Sequence, residues 1–196
     1  MDTNPAKTFF QAQGKHVLTF VGYSAAGYED PSRFRATVEK ILAEFDPEQT
    51  LVNSGATSDG IGAVYAIARD KGFTTTGIVS SQAKEVEAPV SPAVEHVFYI
   101  PDETWGGFQE DNESLSPTSA VVVENSDTLI GIGGGSVARD ELLAAQRCGK
   151  QIRFIPADID HDKARQEAEE AGLPPPSDFS GEAHSVFGDQ ASDPLA

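Results

Sequence analysis

Apolar runs of strand length alternate with segments of helical periodicity along most of this chain. The runs are rich in β-branched residues and are bounded by small or polar residues, as is typical of buried strands. We expect strands at 17–23, 50–53, 73–79 and 96–100, and two more that begin at Leu129 and Ile152. Between the first two strands, residues at helical spacing form a buried stripe: Phe34, Val38, Ile41, Leu42 and Phe45.

The helices predicted between these strands have recognisable start and stop signals. Pro31 lies near the first turn of one helix, and a second helix covers about 61–71. A third covers 137–148, and a charged fourth covers 160–171. Segment 119–125 fits a short helix, but its valine run also suits a strand, so both alternatives stay open.

Strands that alternate with helices predict an α/β fold with a mainly parallel sheet. The expected domain covers 15–173, which is long enough for a sizeable core. Residues 1–14 are predicted to form a loose lead-in. After a run of three prolines, the remaining residues are polar and have few apolar anchors, so we expect a flexible acidic tail over 174–196.

Composition narrows the possible partners and location. The formal net charge of −17 argues against binding to nucleic acid or to an anionic membrane surface. The apolar runs are too short to span a membrane, and the N-terminus lacks the pattern of a secretory signal. A single cysteine, Cys148, excludes internal disulfides and indicates a reducing, cytoplasmic location.

Small loops rich in glycine and serine follow three of the predicted strands, at 22–27, 54–60 and 133–136. One such loop is weak evidence because glycine often serves simply to turn the chain. Three of them at the carboxyl ends of parallel strands indicate a ligand site, and their backbone N–H groups suit a phosphate. The expected ligand-binding residues are Gly22, Ser24, Gly55, Thr57, Ser58, Gly60, Gly133, Gly134, Gly135, Ser136 and Arg139.

Two other groups of residues have both a functional and a structural interpretation. Trp105 and Phe108 lie in a polar segment, 102–116, that is predicted to be a long surface loop. They either stack on a base or cover the sheet edge or a dimer interface, and we favour the covering role. A second group has the composition of a metal site but also that of an acidic helix start, which we favour, so no metal site is predicted. Its members are Asp158, Asp160, His161 and Asp162.

Three segments carry a resemblance to a known family: VLTFVGYSAAGYEDPSRFRATVEKIL, LVNSGATSDGIGAVYAIARDKGFTTTGIV and SDTLIGIGGGSVARDELLAAQRCGKQIRFIP. Over roughly residues 16–156 the chain resembles the LOG-like proteins, once labelled lysine decarboxylases, of the SLOG group of Rossmann-type domains. It is also similar to proteins that carry the molybdenum cofactor. The resemblance implies a Rossmann-like, doubly wound sheet in three α/β/α layers, a homodimer, and a pocket for a nucleotide or nucleotide-derived ligand. It implies no certain cofactor.

Active LOG enzymes are phosphoribohydrolases, which split the N-glycosidic bond of a nucleoside monophosphate, and their motif is P-G-G-x-G-T-x-x-E. The positions that match this motif are Gly134, Gly135 and Glu141. The positions that depart from it are Gly133, Val137 and Ala138. Glu141 is the expected catalytic residue, because N-glycoside cleavage passes through an oxocarbenium-like state that a carboxylate stabilises. Its alternative role is that of an exposed helix carboxylate.

An arginine-bearing segment that precedes the glycine motif in active relatives has no counterpart here. No Lys or Arg occurs between Lys84 and Arg139, although a phosphate monoester is normally held by a guanidinium. The leading hypothesis is therefore a LOG-like protein that binds a nucleotide, or a phosphate-bearing ligand derived from one, with weak or no catalysis. The alternatives are a nucleoside 5′-monophosphate phosphoribohydrolase (an N-glycosidase) that uses Glu141, a molybdenum-cofactor-type carrier, and a non-binding assembly subunit.

Overall fold

One parallel sheet of six strands forms the centre of the protein, in the order β4-β3-β2-β1-β5-β6. The computed structural model describes residues 4–111 and 113–195. The strands are β1 (His16–Gly22), β2 (Thr50–Ser54), β3 (Thr74–Ser80), β4 (His96–Ile100), β5 (Thr128–Ile132) and β6 (Gln151–Ile155). This sheet confirms the Rossmann-like α/β fold class, and each expected strand is present.

Strand β1 lies where the chain changes direction across the sheet. It pairs with β2 along one edge, where Thr19 is opposite Asn53, and with β5 along the other, where Gly22 is opposite Ile132. Strands β3 and β4 extend the sheet beyond β2, and β6 extends it beyond β5. In sheets of this kind, ligands bind at the carboxyl ends of the strands where the strand order reverses.

Helices cover both faces of the sheet, giving three layers. They are α1 (Pro5–Gln13), α2 (Pro31–Leu42), α3 (Val64–Asp70), α4 (Gln82–Glu85), α5 (Pro117–Asn125), α6 (Ser136–Arg147), α7 (His161–Glu170) and α8 (Gly181–Phe187). Helices α2 and α3 pack on the face that contains Leu18 and Phe20. Helices α1, α5, α6 and α8 pack on the opposite face, which contains Val17 and Val21. The alternation along β1 therefore divides the core in two.

Segment 119–125, for which a helix and a strand stayed open, is helical. Its N-cap is Ser116, whose side chain accepts from the Ser119 N–H, and Pro117 occupies the first turn. A capped start with proline outweighs the strand preference of the three valines. All three valines are buried, Val121 and Val122 in the cluster that includes α1, and Val123 in the cluster that includes α6 and α8.

Both predicted irregular ends are corrected by the structure. The lead-in contains α1, which is capped by Asn4 and buries Ala6 and Phe10. The tail contains α8, in which Ala183 is fully buried and Phe187 is 1% exposed. These two apolar residues are four positions apart and therefore lie on one face of the helix. A few anchors thus suffice when they share a face, which composition alone does not show. Positions 1–3 and 196, at the two outer ends of these segments, lie outside the described residues.

Among the described residues, no helix combines the length and the apolar character needed to cross a membrane.

The packing of α8 can be tested at Phe187. We expect Phe187→Ala to lower the free energy of unfolding by about 3 kcal/mol, because it leaves a cavity under a fully packed ring. The matched control is Val186→Ala in the same helix, where the side chain is 39% exposed and the change should cost well under about 1 kcal/mol. Denaturant unfolding measures both. Equal, small losses in the two variants would show that this helix does not pack on the domain.

Candidate ligand-binding site

A cavity of about 510 Å³ lies at the carboxyl ends of β1, β2 and β3. Its walls are largely apolar and come from the first two glycine-bearing loops, the segment after α4, and helices α5 and α6. Trp105 lines it and is 52% exposed, so its ring stands at the mouth. The cavity is therefore at the edge of the sheet where the order of the strands predicts a ligand site.

Glu141 is the buried acid of this cavity. It lies on the second turn of α6 and is 6% exposed, so it is not the exposed helix carboxylate of the alternative interpretation. Ser119 Oγ on α5 donates to Glu141 Oε1 over 2.7 Å, and the Gly107 N–H donates to Ser119 Oγ over 2.8 Å. Burial raises the pKa of Glu141 to about 7, with a further contribution from Asp140, while the Ser119 hydrogen bond opposes the rise. Both protonation states are thus accessible near neutral pH.

The predicted long surface loop has no helix or strand over 102–111 and 113–116, position 112 lies outside the described residues, and hydrogen bonds hold the loop in place. Asp102 is 7% exposed, and its carboxylate accepts from the N–H groups of Thr104 and Thr118, each over 2.8 Å. Burial pushes the pKa of Asp102 upward, but these hydrogen bonds outweigh it and hold the pKa below its ordinary value. Asp140 Oδ2 accepts from the Phe108 N–H over 2.8 Å. These contacts hold Trp105 close to Glu141.

Thr118 offers a further polar atom at the cavity wall. It lines the cavity and is 4% exposed. Its Oγ1 makes no hydrogen bond of good geometry, although it lies near enough to the Asp102 carboxylate to help lower the pKa of that group. A buried hydroxyl without a well-formed partner is costly, and a ligand in the cavity could provide one.

The second loop is held in shape from below by Tyr65. The Tyr65 hydroxyl donates to the Thr76 carbonyl over 2.9 Å and accepts from the Ala56 N–H over 3.0 Å. Ala56 has a φ of 61°, in the left-handed region. At Gly60, a Cβ would lie 1.9 Å from the Ser24 carbonyl oxygen, so the first and second loops touch at this position. The fold therefore brings these two loops together.

The predicted site residues divide into two groups. Those that line the cavity are Gly22, Ser24, Gly55, Thr57, Ser58 and Glu141. Those that do not line it are Gly60, Gly133, Gly134, Gly135, Ser136 and Arg139. Two of the three predicted loops and one helix therefore meet at the cavity, whereas the third loop does not line it. Their roles in binding stay predictions.

The third glycine loop makes hydrogen bonds with other parts of the protein. The Gly133 N–H donates to the Ile155 carbonyl over 2.9 Å, and the Gly134 carbonyl accepts from the Ala183 N–H of α8 over 3.1 Å. The Gly134 N–H faces the hydroxyl of Tyr23; burial raises the pKa of that tyrosine to about 12 despite this contact. The Gly133 and Gly134 part of the expected phosphate site at 133–136 is thus in contact with other parts of the protein, because the tail folds back against it.

Arg139, the one basic residue in the predicted set, is engaged with its neighbour. Its Nη2 lies 2.7 Å from Asp140 Oδ1, and its Nε donates to the same oxygen over 2.8 Å. A carboxylate so close competes with any ligand anion for this guanidinium. The arginine therefore offers no free charge to the cavity.

The remaining candidates have structural roles. Phe108 packs with the cluster between α6, α8 and the sheet, which fits the covering role, and the Arg147 guanidinium lies over its ring at 5.2 Å. Asp160 caps α7, with its side chain accepting from the Lys163 N–H over 2.9 Å. His161 Nε2 lies 3.0 Å from Asp158 Oδ2. Within 4–111 and 113–195, no group of three or more His, Cys, Asp or Glu residues has the geometry of a metal site.

Sequence reasoning did not identify Ser119, Thr118 or Asp102 as parts of the site. The sequence did contain a signal for Thr118 and Ser119, because Ser116 and Pro117 together mark a helix start. That start places both residues on the first turn of α5. The cavity wall formed by residues 88–90 had no signal, because that segment has neither periodicity nor charge.

Comparison with known proteins supports the fold. No protein-family model matches the sequence, and no curated protein matches it significantly. The X-ray structure of TM1055, a Northeast Structural Genomics Consortium target, is 26% identical with a TM-score of 0.51 over 70% of this chain and 72% of that chain. The molybdenum cofactor binding protein from the phototrophic bacterium Rippkaea orientalis is 17% identical with a TM-score of 0.51, over 81% of this chain and 85% of that chain.

The molybdenum cofactor carrier protein from Chlamydomonas reinhardtii is similar to the same degree, with 19% identity and a TM-score of 0.51 over 81% of this chain and 87% of that chain. At these identities the two molybdenum-cofactor proteins show a common fold and nothing more. Together with TM1055 they support the Rossmann-like α/β fold.

The buried acid makes stability depend on pH. The folded protein keeps a proton on Glu141 up to about pH 7, whereas the unfolded chain releases it near the ordinary pKa of 4.5. Stability associated with the neutral acid is therefore lost as the pH rises through this window. We expect Glu141→Gln, which cannot ionise, to gain on the order of 2 kcal/mol in unfolding free energy relative to wild type between pH 5 and pH 8.

Denaturant unfolding at both pH values measures this gain. Glu48→Gln is the matched control, because Glu48 is exposed and lies far from the cavity in sequence and structure. It should follow the wild-type pH profile. Parallel profiles for wild type and Glu141→Gln would contradict a raised pKa at Glu141.

Proposed function

We propose that this protein binds a nucleotide or a nucleotide-derived small molecule in its cavity, with weak or no catalysis. The observation that carries the proposal is the cavity itself, in which a buried acid faces apolar walls at the switch point of a Rossmann-like sheet. Its volume of about 510 Å³ falls within the range of roughly 300–1,000 Å³ that is usual for small-molecule sites. An aromatic ring at the mouth and an acceptor inside are what a planar nitrogen heterocycle requires.

Weak catalysis is supported by what surrounds Glu141. Efficient phosphoribohydrolysis needs the phosphate of the substrate to be anchored, so that binding energy positions the ribose. None of the described residues that line the cavity is Lys, Arg or His. Arg139 is paired with Asp140, and α8 bonds to the Gly134 carbonyl of the third glycine loop. These features leave binding as the better-supported activity.

The other expectations from the resemblance are retained as proposals. A ligand of the molybdenum-cofactor type is a candidate, because proteins that bind or carry that cofactor share this fold. The homodimer implied by the LOG-like resemblance also remains a prediction, and two-fold dimers are the commonest homo-oligomers.

Ligand-induced stabilisation tests the proposal. Adenosine, guanosine and their 5′-monophosphates are each added to the full chain, and the melting temperature is followed. A ligand at about 100 times its Kd contributes about 2.7 kcal/mol, which corresponds to a rise of roughly 5–10 °C for a domain of this size. The absence of any rise with all four compounds would contradict the proposed function.

A variant that blocks the cavity locates the site. Ala25 is exposed and lines the cavity, so Ala25→Trp should reduce the thermal shift to near zero without unfolding the protein. The matched control is Ala171→Trp, an equally exposed alanine at the end of α7, which should keep the full shift. Loss of the shift in both variants, or in neither, would place the binding site elsewhere.

The second candidate function is hydrolysis of an N-glycosidic bond, and the raised pKa of Glu141 favours it. A carboxyl group whose pKa is near neutral serves as a general acid or base at pH 7. If free base is released from a nucleoside 5′-monophosphate, Glu141→Gln should slow the release at least about 100-fold, whereas Glu48→Gln should not. Chromatography of the released base measures this. An unchanged rate in Glu141→Gln would exclude this cavity as the catalytic site.

A further inference from the structure

The ionisable side chains among the described residues that line the cavity are both acidic. The charged residues that line it are Asp59 and Glu141, and the other lining residues are apolar or uncharged polar ones. Asp59 accepts from the Ser58 hydroxyl over 2.9 Å but has no cationic partner among the described residues. The whole chain adds a formal net charge of −17. An anion that enters the cavity therefore meets repulsion and no compensating ion pair.

The cations on neighbouring elements are engaged outside the cavity. Lys163 Nζ lies 3.5 Å from the carbonyl oxygen of Ala25, on an exposed side chain that does not line the cavity. Lys84 Nζ lies 4.1 Å from the centre of the Tyr99 ring. Arg139 is held by Asp140. None of the three lines the cavity, although Lys163 contacts Ala25, a residue that does.

The third glycine loop, the other place for a phosphate, already has an acidic neighbour. Glu182 Oε2 of α8 lies 3.4 Å from the position that a Cβ on Gly135 would occupy. The backbone hydrogen bond from the Ala183 N–H to the Gly134 carbonyl holds α8 in this place. Helix α8 therefore places a carboxylate, and with it a negative charge, beside the third glycine loop.

What the cavity does offer is a hydrogen-bond acceptor and an aromatic surface. Glu141 Oε1 is bonded to Ser119, and Oε2 makes no hydrogen bond with the described residues. An ionised carboxylate accepts hydrogen bonds only, so it selects N–H donors. Trp105 at the mouth provides the face of an indole ring.

We propose that the cavity takes the uncharged heterocyclic part of its ligand, with ring N–H groups donating to Glu141, and that it excludes a phosphate monoester. This inference rests on the proposed function and narrows it. It reverses the phosphate-centred expectation from the three glycine loops. The selectivity comes from Glu141, which accepts hydrogen bonds from N–H groups, and from Asp59, which repels anions.

Matched pairs that differ only by a phosphate provide the test: adenosine with adenosine 5′-monophosphate, and guanosine with guanosine 5′-monophosphate. Calorimetric titration of the full chain measures each affinity. The nucleoside should bind at least as tightly as its monophosphate. Where the phosphate approaches Asp59, the affinity of the nucleoside should be about five-fold higher, because the repulsion of like charges at about 4 Å in water changes an affinity by about a factor of five. Ten-fold tighter binding of a monophosphate would overturn the inference and leave the proposed function intact. No binding by any of the four would overturn both.

Charge-removing variants test the cause of the selectivity. In Asp59→Asn the monophosphate should gain about five-fold in affinity relative to its nucleoside, because one repulsive charge is lost. Asp70→Asn is the control, since Asp70 is exposed at the end of α3 and does not line the cavity. Glu141→Gln should weaken the nucleosides most. The proposed selectivity would be overturned if Asp59→Asn left the ratio of monophosphate affinity to nucleoside affinity unchanged and Glu141→Gln left the nucleoside affinity unchanged.

Discussion

The parallel pairing of β1 with β2 on one edge and with β5 on the other is the constraint on which the site depends. It sends the following helices to opposite faces and opens a crevice at the end of β1. The chain is closely packed at Gly22, the last residue of β1, where a Cβ would lie 2.1 Å from the Tyr28 hydroxyl and 2.7 Å from the Ile132 carbonyl oxygen. Without a side chain here, the backbones of the first and third loops approach each other. The cavity lies beside this contact.

A buried polar chain crosses the sheet beneath the cavity. Thr76 donates to Asn53 over 3.0 Å, Asn53 donates to Thr19 over 3.2 Å, and the hydroxyls of Thr19 and Ser126 are 2.6 Å apart. Because these groups satisfy one another, this series of hydrogen bonds links β1, β2 and β3 without leaving these polar side chains unpaired in the core. Thr19 also lines the cavity. Its hydroxyl is already used, so a ligand must find other polar partners, such as Glu141 and Thr118.

The sheet was predictable because each strand is an apolar run of β-branched residues, and because the order of loops after strands determines which edge they share. The ends of the chain were not predictable by the same reasoning. In α1 and α8 the packing depends on two buried residues each, Ala6 with Phe10 and Ala183 with Phe187. Average polarity conceals such pairs, whereas helical spacing would have revealed them.

The site itself was predicted only in part, since the sequence shows where loops follow strands but not what later segments cover. Gly133 and Gly134 have the composition of an anion site, but Gly133 bonds to Ile155 of β6 and Gly134 bonds to α8, nearly fifty residues along the chain. In the same way, the burial of Glu141 depends on Ser119 and on Gly107, which belong to elements with no local link to α6. Long-range packing therefore determined both the loss of one expected subsite and the pKa of the central acid.

The hydroxyl of Ser119 connects the two halves of the site. It accepts from the Gly107 N–H and donates its one proton to Glu141. A ligand that donates to Glu141 stabilises the carboxylate and with it this chain of hydrogen bonds, which also holds the segment that carries Trp105. A ligand that accepts from Glu141 stabilises the neutral acid, for which the Ser119 proton is a weaker partner. With a pKa of about 7 for Glu141, the ligand rather than the solvent determines the protonation state. A binding site and an acid catalyst are therefore close alternatives in this cavity, and they differ in whether a phosphate is anchored beside the acid.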